Sequence, residues 1–198
     1  KLYNNFNIIV AKADFWRYLV LYKYGGIYLD MDSNINRTFN DLIKDNDEAI
    51  LSLEQGHIND QFITQWCMVF KKNHPILLET IKLILLRVKK DKELHKLSKQ
   101  FPTRGYGLHY VTGPSVISSA VKNIHSKLYN KYPFNCMTKD MDYHNNKCRL
   151  IDETYNVNNI KYRIYGIDYN NFCIFKHSNA NHLYINKKHW QKEEDTIS

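Results

Sequence analysis

The stretch AKADFWRYLVLYKYGGIYLDMD, residues 11–32, decides how the chain is read. From 11 to 24 apolar side chains are too dense for an exposed surface helix, and Gly25-Gly26 supply the residue type that ends helices. Beyond them the pattern alternates. Ile27, Leu29 and Met31 fall on one face and Tyr28, Asp30 and Asp32 on the other, as on a buried strand from 27 to 32. A helix turning tightly into a short apolar strand predicts an α/β sheet domain with Asp30 and Asp32 side by side at the strand end.

Two carboxylates held that close repel each other unless a cation meets them. Hard oxygen ligands of this kind suit Mg²⁺ or Mn²⁺, which usually complete their coordination with substrate phosphates. The other reading is plainer: one Asp caps the turn implied by Ser33-Asn34 and its neighbour faces water. Upstream, Asp14 and Arg17 are three apart and share a helix face. They form either a surface ion pair of little energetic weight or, among Phe15, Trp16, Leu19 and Leu21, a buried pair that clamps a ligand.

The remaining pattern supports alternating helices and strands. Residues 50–53 read as a short apolar strand followed by the polar loop 54–60. Residues 61–72 read as a helix, and Pro75 suits the first turn of another running to about residue 90. Residues 91–107 read as a polar loop or insertion. Gly113-Pro114-Ser115 opens a helix to about residue 129, and 133–160 is Asn-rich and irregular. Strands are expected at 162–167 and 171–176, with a loose polar tail.

The chain has 198 residues, 43% hydrophobic and 24% charged, which is the composition of a globular protein. No run of roughly eighteen apolar residues is present to cross a membrane. The net charge of +8 favours an anionic partner. Its lysines are scattered or cluster on helix surfaces, which argues for phosphorylated small molecules rather than nucleic acid. Cys67, Cys136, Cys148 and Cys173 show no metal-ligand spacing. Cys67, in the expected helix, and Cys173, in an apolar strand, read as core thiols. Cys136 and Cys148 flank a polar loop and would pair only in an oxidising compartment.

Residues 11–32 closely resemble the DXD sugar-binding region of family 32 glycosyltransferases, a group that includes Golgi mannosyltransferases and is related to glucosylating bacterial toxins. The resemblance rests on Ala13, Asp14, Arg17, Tyr18, Tyr24, Gly25, Gly26, Tyr28, Asp30 and Asp32. A weaker likeness continues through INDQFITQWCMVFKKNHPIL and TGPSVI, to about residue 120.

The resemblance implies a single domain over 1–198 with a GT-A-like nucleotide-diphospho-sugar transferase sandwich, a mainly parallel central sheet and helical insertions. Only ten residues precede Ala11, so the chain reads as trimmed of an N-terminal portion. It reads as cytoplasmic if complete and Golgi-lumenal if an anchor has been removed. The implied activity is metal-dependent, retaining transfer from a UDP- or GDP-linked sugar donor to a hydroxyl of a glycan or protein acceptor. Asp14, Arg17, Tyr28, Asp30 and Trp190 would bind the donor. Asp30, Asp32 and a late His would hold Mn²⁺ or Mg²⁺. His177, which follows the strand ending at 176, is preferred for that ligand over His182 and His189, which would otherwise be basic surface. Asn59 and Asp60, in the loop after the second strand, are expected beside the donor sugar and acceptor, as catalytic residues with Asp30 and Asp32, unless they simply suit a turn. Gly113-Pro114 would shape the acceptor wall.

Two other classes fit a DXD after an apolar strand. A haloacid-dehalogenase-like phosphotransferase would want Thr or Val after the second Asp and a later acidic pair, whereas Ser33-Asn34 follow here. A non-catalytic carbohydrate- or nucleic-acid-binding module would keep the fold without turnover.

Overall fold

The computed structural model describes residues 3, 6, 9–31, 33–35, 38–54, 62–90, 106–126, 153–157, 159–165 and 175–177. The first element is helix α1 (Ile9–Tyr24), which buries Ala11, Asp14, Phe15, Arg17, Tyr18 and Leu21. Strand β1 (Gly26–Leu29) follows, then β2 (Ser33–Ile35) and the short helix α2 (Phe39–Leu42) with Thr38 as its N-cap. Three strands come next: β3 (Ala49–Glu54), β4 (Phe62–Ile63) and β5 (Cys67–Phe70). Helix α3 (Pro75–Lys89) leads to α4 (Tyr106–Val111) and α5 (Pro114–Ser126). The last strands are β6 (Glu153–Val157), β7 (Ile160–Tyr165) and β8 (Phe175–His177).

The main sheet runs β1-β5-β3-β7-β6, with β4 attached to β3, and β2 pairs with β8 in a separate ribbon. The sheet is mixed rather than mainly parallel. Among the described strands only β3 and β7 run parallel; the other pairings are antiparallel. Chain length between the elements explains much of this. Parallel neighbours need a crossover of a dozen or more residues, whereas β6 and β7 are joined by a tight turn in which Asn159 takes φ 64°.

Side chains alternate across the sheet into two apolar clusters. Met68 and Phe70 join Phe15, Tyr18, Leu21, Leu51 and Leu77 on the helix side. Cys67 and Val69 join Ile50 and Trp66 on the other. All four residues of β5 are therefore buried. A strand covered on both faces shows no period of two, so the expectation of a helix over 61–72 is wrong: the segment is β4, a bend and β5. Cys67 remains a core thiol, in a strand instead of a helix, and burial pushes it far above the ordinary thiol range.

Strand β1 also departs from expectation. It lies at the edge of the sheet, Ile27 is partly exposed, and its ladder ends at Leu29. Asp30 makes one further backbone hydrogen bond, from its N–H to the Trp66 carbonyl at 2.8 Å, and Met31 turns into solvent. Strand β6 lies within the segment 133–160 that reads as irregular, and α4 begins at the end of the segment 91–107 that reads as a loop or insertion.

The glycine turn holds as expected. Gly25 and Gly26 have φ of 70° and 103°, and the Gly25 N–H closes on the Leu21 carbonyl at 2.8 Å. The turn following β5 docks against it, with Asn73 N–H donating to the Tyr22 carbonyl at 2.7 Å. A Cβ on Gly25 would stand 2.6 Å from the Lys72 nitrogen and 2.9 Å from the Phe70 carbonyl oxygen. Gly25→Ala should therefore cost about 1–3 kcal/mol, combining backbone strain with the clash. Urea unfolding measures it, and a loss under about 0.5 kcal/mol would show that the turn tolerates a side chain.

Candidate functional site

The turn from α1 into β1 carries four of the expected residues to one place. Arg17 is 5% exposed and lies between two carboxylates. Its NH2 is 2.9 Å from Asp14 Oδ1, one helical turn back on the same face. Its NH1 is 3.3 Å from Asp30 Oδ1 and donates to the Gln65 carbonyl at 3.0 Å. The guanidinium stacks on the Tyr28 ring, 4.7 Å from its centroid, and the Tyr28 hydroxyl donates to Asp30 Oδ1 at 2.7 Å. Tyr28 and Asp30 reach together because residues two apart along a strand direction share a face.

Asp14 is 1% exposed. Oδ1 also accepts from Gln65 Nε2 at 3.1 Å, and Oδ2 accepts from the Thr112 hydroxyl at 2.9 Å. Tyr18, fully buried, donates to Gln65 Oε1 at 2.9 Å. Burial pushes the Asp14 carboxyl up to about 6, although Arg17, Thr112 and Gln65 all act to lower it. Burial by itself would lower the Arg17 pKa, but the charges of Asp14 and Asp30 outweigh it and raise it. Burial likewise drives the Tyr28 and Tyr18 phenols above their ordinary range, so both stay protonated donors. Arg17 Nε is buried and has no hydrogen-bond partner among the described residues.

The Asp30 side chain is 29% exposed, so it is the open end of this charge line. One guanidinium between two carboxylates leaves an excess of negative charge facing outward, before Asp32 is counted. Strand β8 adds a backbone fact: its register places His177 opposite Ser33, one residue beyond Asp32. Among the described residues no group of three His, Cys, Asp or Glu side chains is gathered to hold a metal. Asp32, Asn59, Asp60, Trp190, His182 and His189 lie outside the described residues, as do Cys136, Cys148 and Cys173.

Gln65 and Thr112 had not been expected here. Gln65 sits in the bend between β4 and β5, inside the run that reads as a helix. Thr112 sits between α4 and α5, immediately before Gly113-Pro114. Gly113 is required there, since a Cβ would lie 2.6 Å from the His109 Cα. The sequence signal for Thr112 was present in TGPSVI, but nothing local said that its hydroxyl meets α1.

Residues 1–49 match the family described as "Glycosyltransferase sugar-binding region containing DXD motif". The chain is 36% identical over 80 residues to inositol phosphoceramide mannosyltransferase 3 of Schizosaccharomyces pombe, covering 40% of this chain and 21% of the relative. It is 33% identical over 126 residues to the initiation-specific alpha-1,6-mannosyltransferase of the same organism, covering 57% and 31%. The chain thus aligns with less than a third of either relative. A partial structural likeness, with a TM-score of 0.43 and 19% identity, extends over 58% of this chain and 36% of the PaToxG Glycosyltransferase. The family match and the two mannosyltransferase relatives bear out the family 32-like DXD region read from residues 11–32.

The electrostatics of Asp14 have a measurable sign. A carboxyl raised from 3.8 to about 6 on folding stabilises the fold most below about pH 4, and that contribution is lost as pH rises through about 6. The Asp14 carboxyl ¹³C resonance should therefore titrate with a midpoint near 6. A midpoint below 4 would mean that Arg17, Gln65 and Thr112 more than offset burial.

Proposed function

We propose that this chain carries the donor site of a metal-dependent, retaining glycosyltransferase with a GT-A-like fold. The enzyme moves a sugar from a UDP- or GDP-linked donor to a hydroxyl of a glycan or protein acceptor. Mannosyl transfer is the form that the names of the two relatives favour. The observation that carries this reading is Arg17, buried and bridging Asp14 to Asp30 at the first carboxylate of the DXD, in a stretch that matches the sugar-binding region.

The site residues suit a donor with a charged leaving group. Asp30 is the accessible oxygen ligand, Asp32 follows two residues later, and the β2–β8 register supports His177 as a nearby nitrogen ligand. Two carboxylates and an imidazole fit Mn²⁺ better than Mg²⁺. Such an ion, when bound, would offset the negative charge that develops on the departing diphosphate. The chain's own residues do the rest. Arg17 and Tyr28 both engage Asp30 Oδ1, so the carboxylate is held without reorganisation and Oδ2 is the oxygen left for the ion. The Nε–H of Arg17, buried and without a partner among the described residues, is the donor assigned to a sugar hydroxyl, with Asp14 holding the guanidinium. Asn59 and Asp60 follow β3 and are assigned to the acceptor side of the donor sugar, with Trp190 against the donor and Gly113-Pro114 at the acceptor wall. No helix among the described residues is long and apolar enough to cross a membrane.

The matches favour this reading over a haloacid-dehalogenase-like phosphotransferase, and turnover separates it from a non-catalytic binding module. Incubation with nucleoside diphosphate-sugars and Mn²⁺ should release nucleoside diphosphate, and no release from any donor would favour a binding module. Asp32→Asn should abolish Mn²⁺ binding by calorimetry together with turnover, Asp30→Asn should weaken both, and His177→Ala should erase the preference for Mn²⁺ over Mg²⁺. Unchanged Mn²⁺ affinity in Asp32→Asn would overturn the metal assignment. Arg17→Lys keeps the charge but loses the planar fork, and should reduce donor affinity roughly 10- to 100-fold, the equivalent of one charge-assisted hydrogen bond.

A further inference from the structure

We propose that Thr112 and Gln65 are positioning residues which hold Asp14 in register, and through it aim the Arg17 guanidinium at Asp30. The proposal rests on the donor-site reading for its functional consequence, but its geometry stands apart from any ligand.

Asp14 is held from three directions by three separate parts of the fold. Arg17 meets it from α1 itself, Gln65 from the β4–β5 bend, and Thr112 from the turn between α4 and α5. Gln65 is distant from Asp14 by 51 positions in sequence and Thr112 by 98. These contacts are long-range and are not by-products of local helix geometry.

The amide of Gln65 is fully specified. Its Oε1 accepts from the Tyr18 hydroxyl, its Nε2 donates to the Asp14 carboxylate, and its backbone carbonyl accepts from Arg17 NH1. Reversing the amide would set its oxygen against the carboxylate and its NH₂ against a hydroxyl donor. One side-chain orientation therefore satisfies every partner, and it places Gln65 against both ends of the Asp14–Arg17 pair.

Thr112 is fully buried, and its hydroxyl has a choice of acceptors. The Leu108 carbonyl lies at 3.4 Å, the usual back-bond within a helical turn, whereas Asp14 Oδ2 lies at 2.9 Å. The shorter bond, to a carboxylate, is the stronger of the two. The backbone N–H of Thr112 already serves the Leu108 carbonyl at 3.0 Å, so the hydroxyl is not needed to close α4. Its service is to Asp14.

Among the described residues, the charged and titratable groups facing Asp14 are Arg17 and Tyr18 on its own helix and, across the glycine turn, Tyr28 and Asp30; the α4–α5 turn contributes the neutral Thr112 and the β4–β5 bend the neutral Gln65. With both Asp14 oxygens fixed, the NH2 edge of Arg17 is fixed, and NH1 is left directed at Asp30 and the Gln65 carbonyl. The turn that precedes Gly113-Pro114 is in this way linked mechanically to the first carboxylate of the DXD. Displacement of that turn would be felt at Asp30 through Asp14 and Arg17.

The test uses the full 198-residue chain and two readouts. Thr112→Val is isosteric and removes only the hydroxyl, and Thr112→Ser restores it. In ¹H–¹⁵N spectra of the ligand-free protein, the Arg17 Nε–H resonance should shift and exchange faster with solvent in Thr112→Val, and return to its original position in Thr112→Ser. In donor turnover with Mn²⁺, Thr112→Val should raise KM for the nucleotide-sugar roughly ten-fold, the equivalent of one hydrogen bond to a charged group, with kcat within about two-fold. If Thr112→Val fails to fold, Gln65→Met carries the same expectations from the β4–β5 side. An Arg17 resonance unmoved in the folded variant would overturn the proposal, whatever happens to turnover. A shifted and rescued resonance in a protein that turns over no donor would uphold the positioning role and overturn the assigned activity instead.

Discussion

A guanidinium cannot leave water unless its charge is met, and the architecture at the start of this chain follows from how Arg17 is met. Helix α1 supplies Asp14 one turn before it, and the Gly25-Gly26 reversal returns the chain so that Asp30 arrives from the other side. Either carboxylate alone would balance the charge, but Asp14 takes NH2 and Asp30 takes NH1, so both are needed to meet the fork. Removing either would leave a buried charge with a partner missing, which is far costlier than losing a surface pair. The network ties the helix to the strand end, and it also fixes Asp30, the more exposed of the two carboxylates that Arg17 meets.

The same constraint explains why the surrounding elements are where they are. The β4–β5 bend must pass close enough for Gln65 to face Asp14, Arg17 and Tyr18, and β5 then runs back along β1 from Cys67 to Phe70. The α4–α5 turn must approach from the opposite side to bring the Thr112 hydroxyl, which demands the tight packing of Gly113 on His109. Apolar burial on the two faces of the sheet supplies the bulk of the stability, while the polar line through it sets which way the side chains point. A buried ion pair is weak evidence for stability in itself, and orientation at a site is the better reason for this one.

Much of this was legible where a residue's role is local. The helix, the glycine turn and the Asp14–Arg17 pairing follow from spacing, and Asp30 follows from the alternation after Gly26. What escaped was non-local. A strand buried on both faces carries no alternation, so β5 read as a helix and Gln65 was hidden within it. Thr112 donates to a residue 98 positions away, and no pattern in its own neighbourhood announces that. The mainly parallel sheet came with the resemblance rather than from the residues, and the short turn at Asn159 is what makes β6–β7 antiparallel. The extent of β1 failed for another reason: apolar alternation continues through Met31, but the ladder ends where β5 has no further residue to pair.

The central claim is that Arg17 and Asp30 are energetically one unit. A double-mutant cycle with Arg17→Met, Asp30→Asn and the combined variant, read by urea unfolding near pH 7, tests it directly. The pair should show a coupling energy of about 1–3 kcal/mol, because each single change leaves the other group without its partner. Effects that add to within about 0.5 kcal/mol would mean that the two side chains are independent, and that Arg17 is held by Asp14, the Gln65 carbonyl and the Tyr28 ring without Asp30.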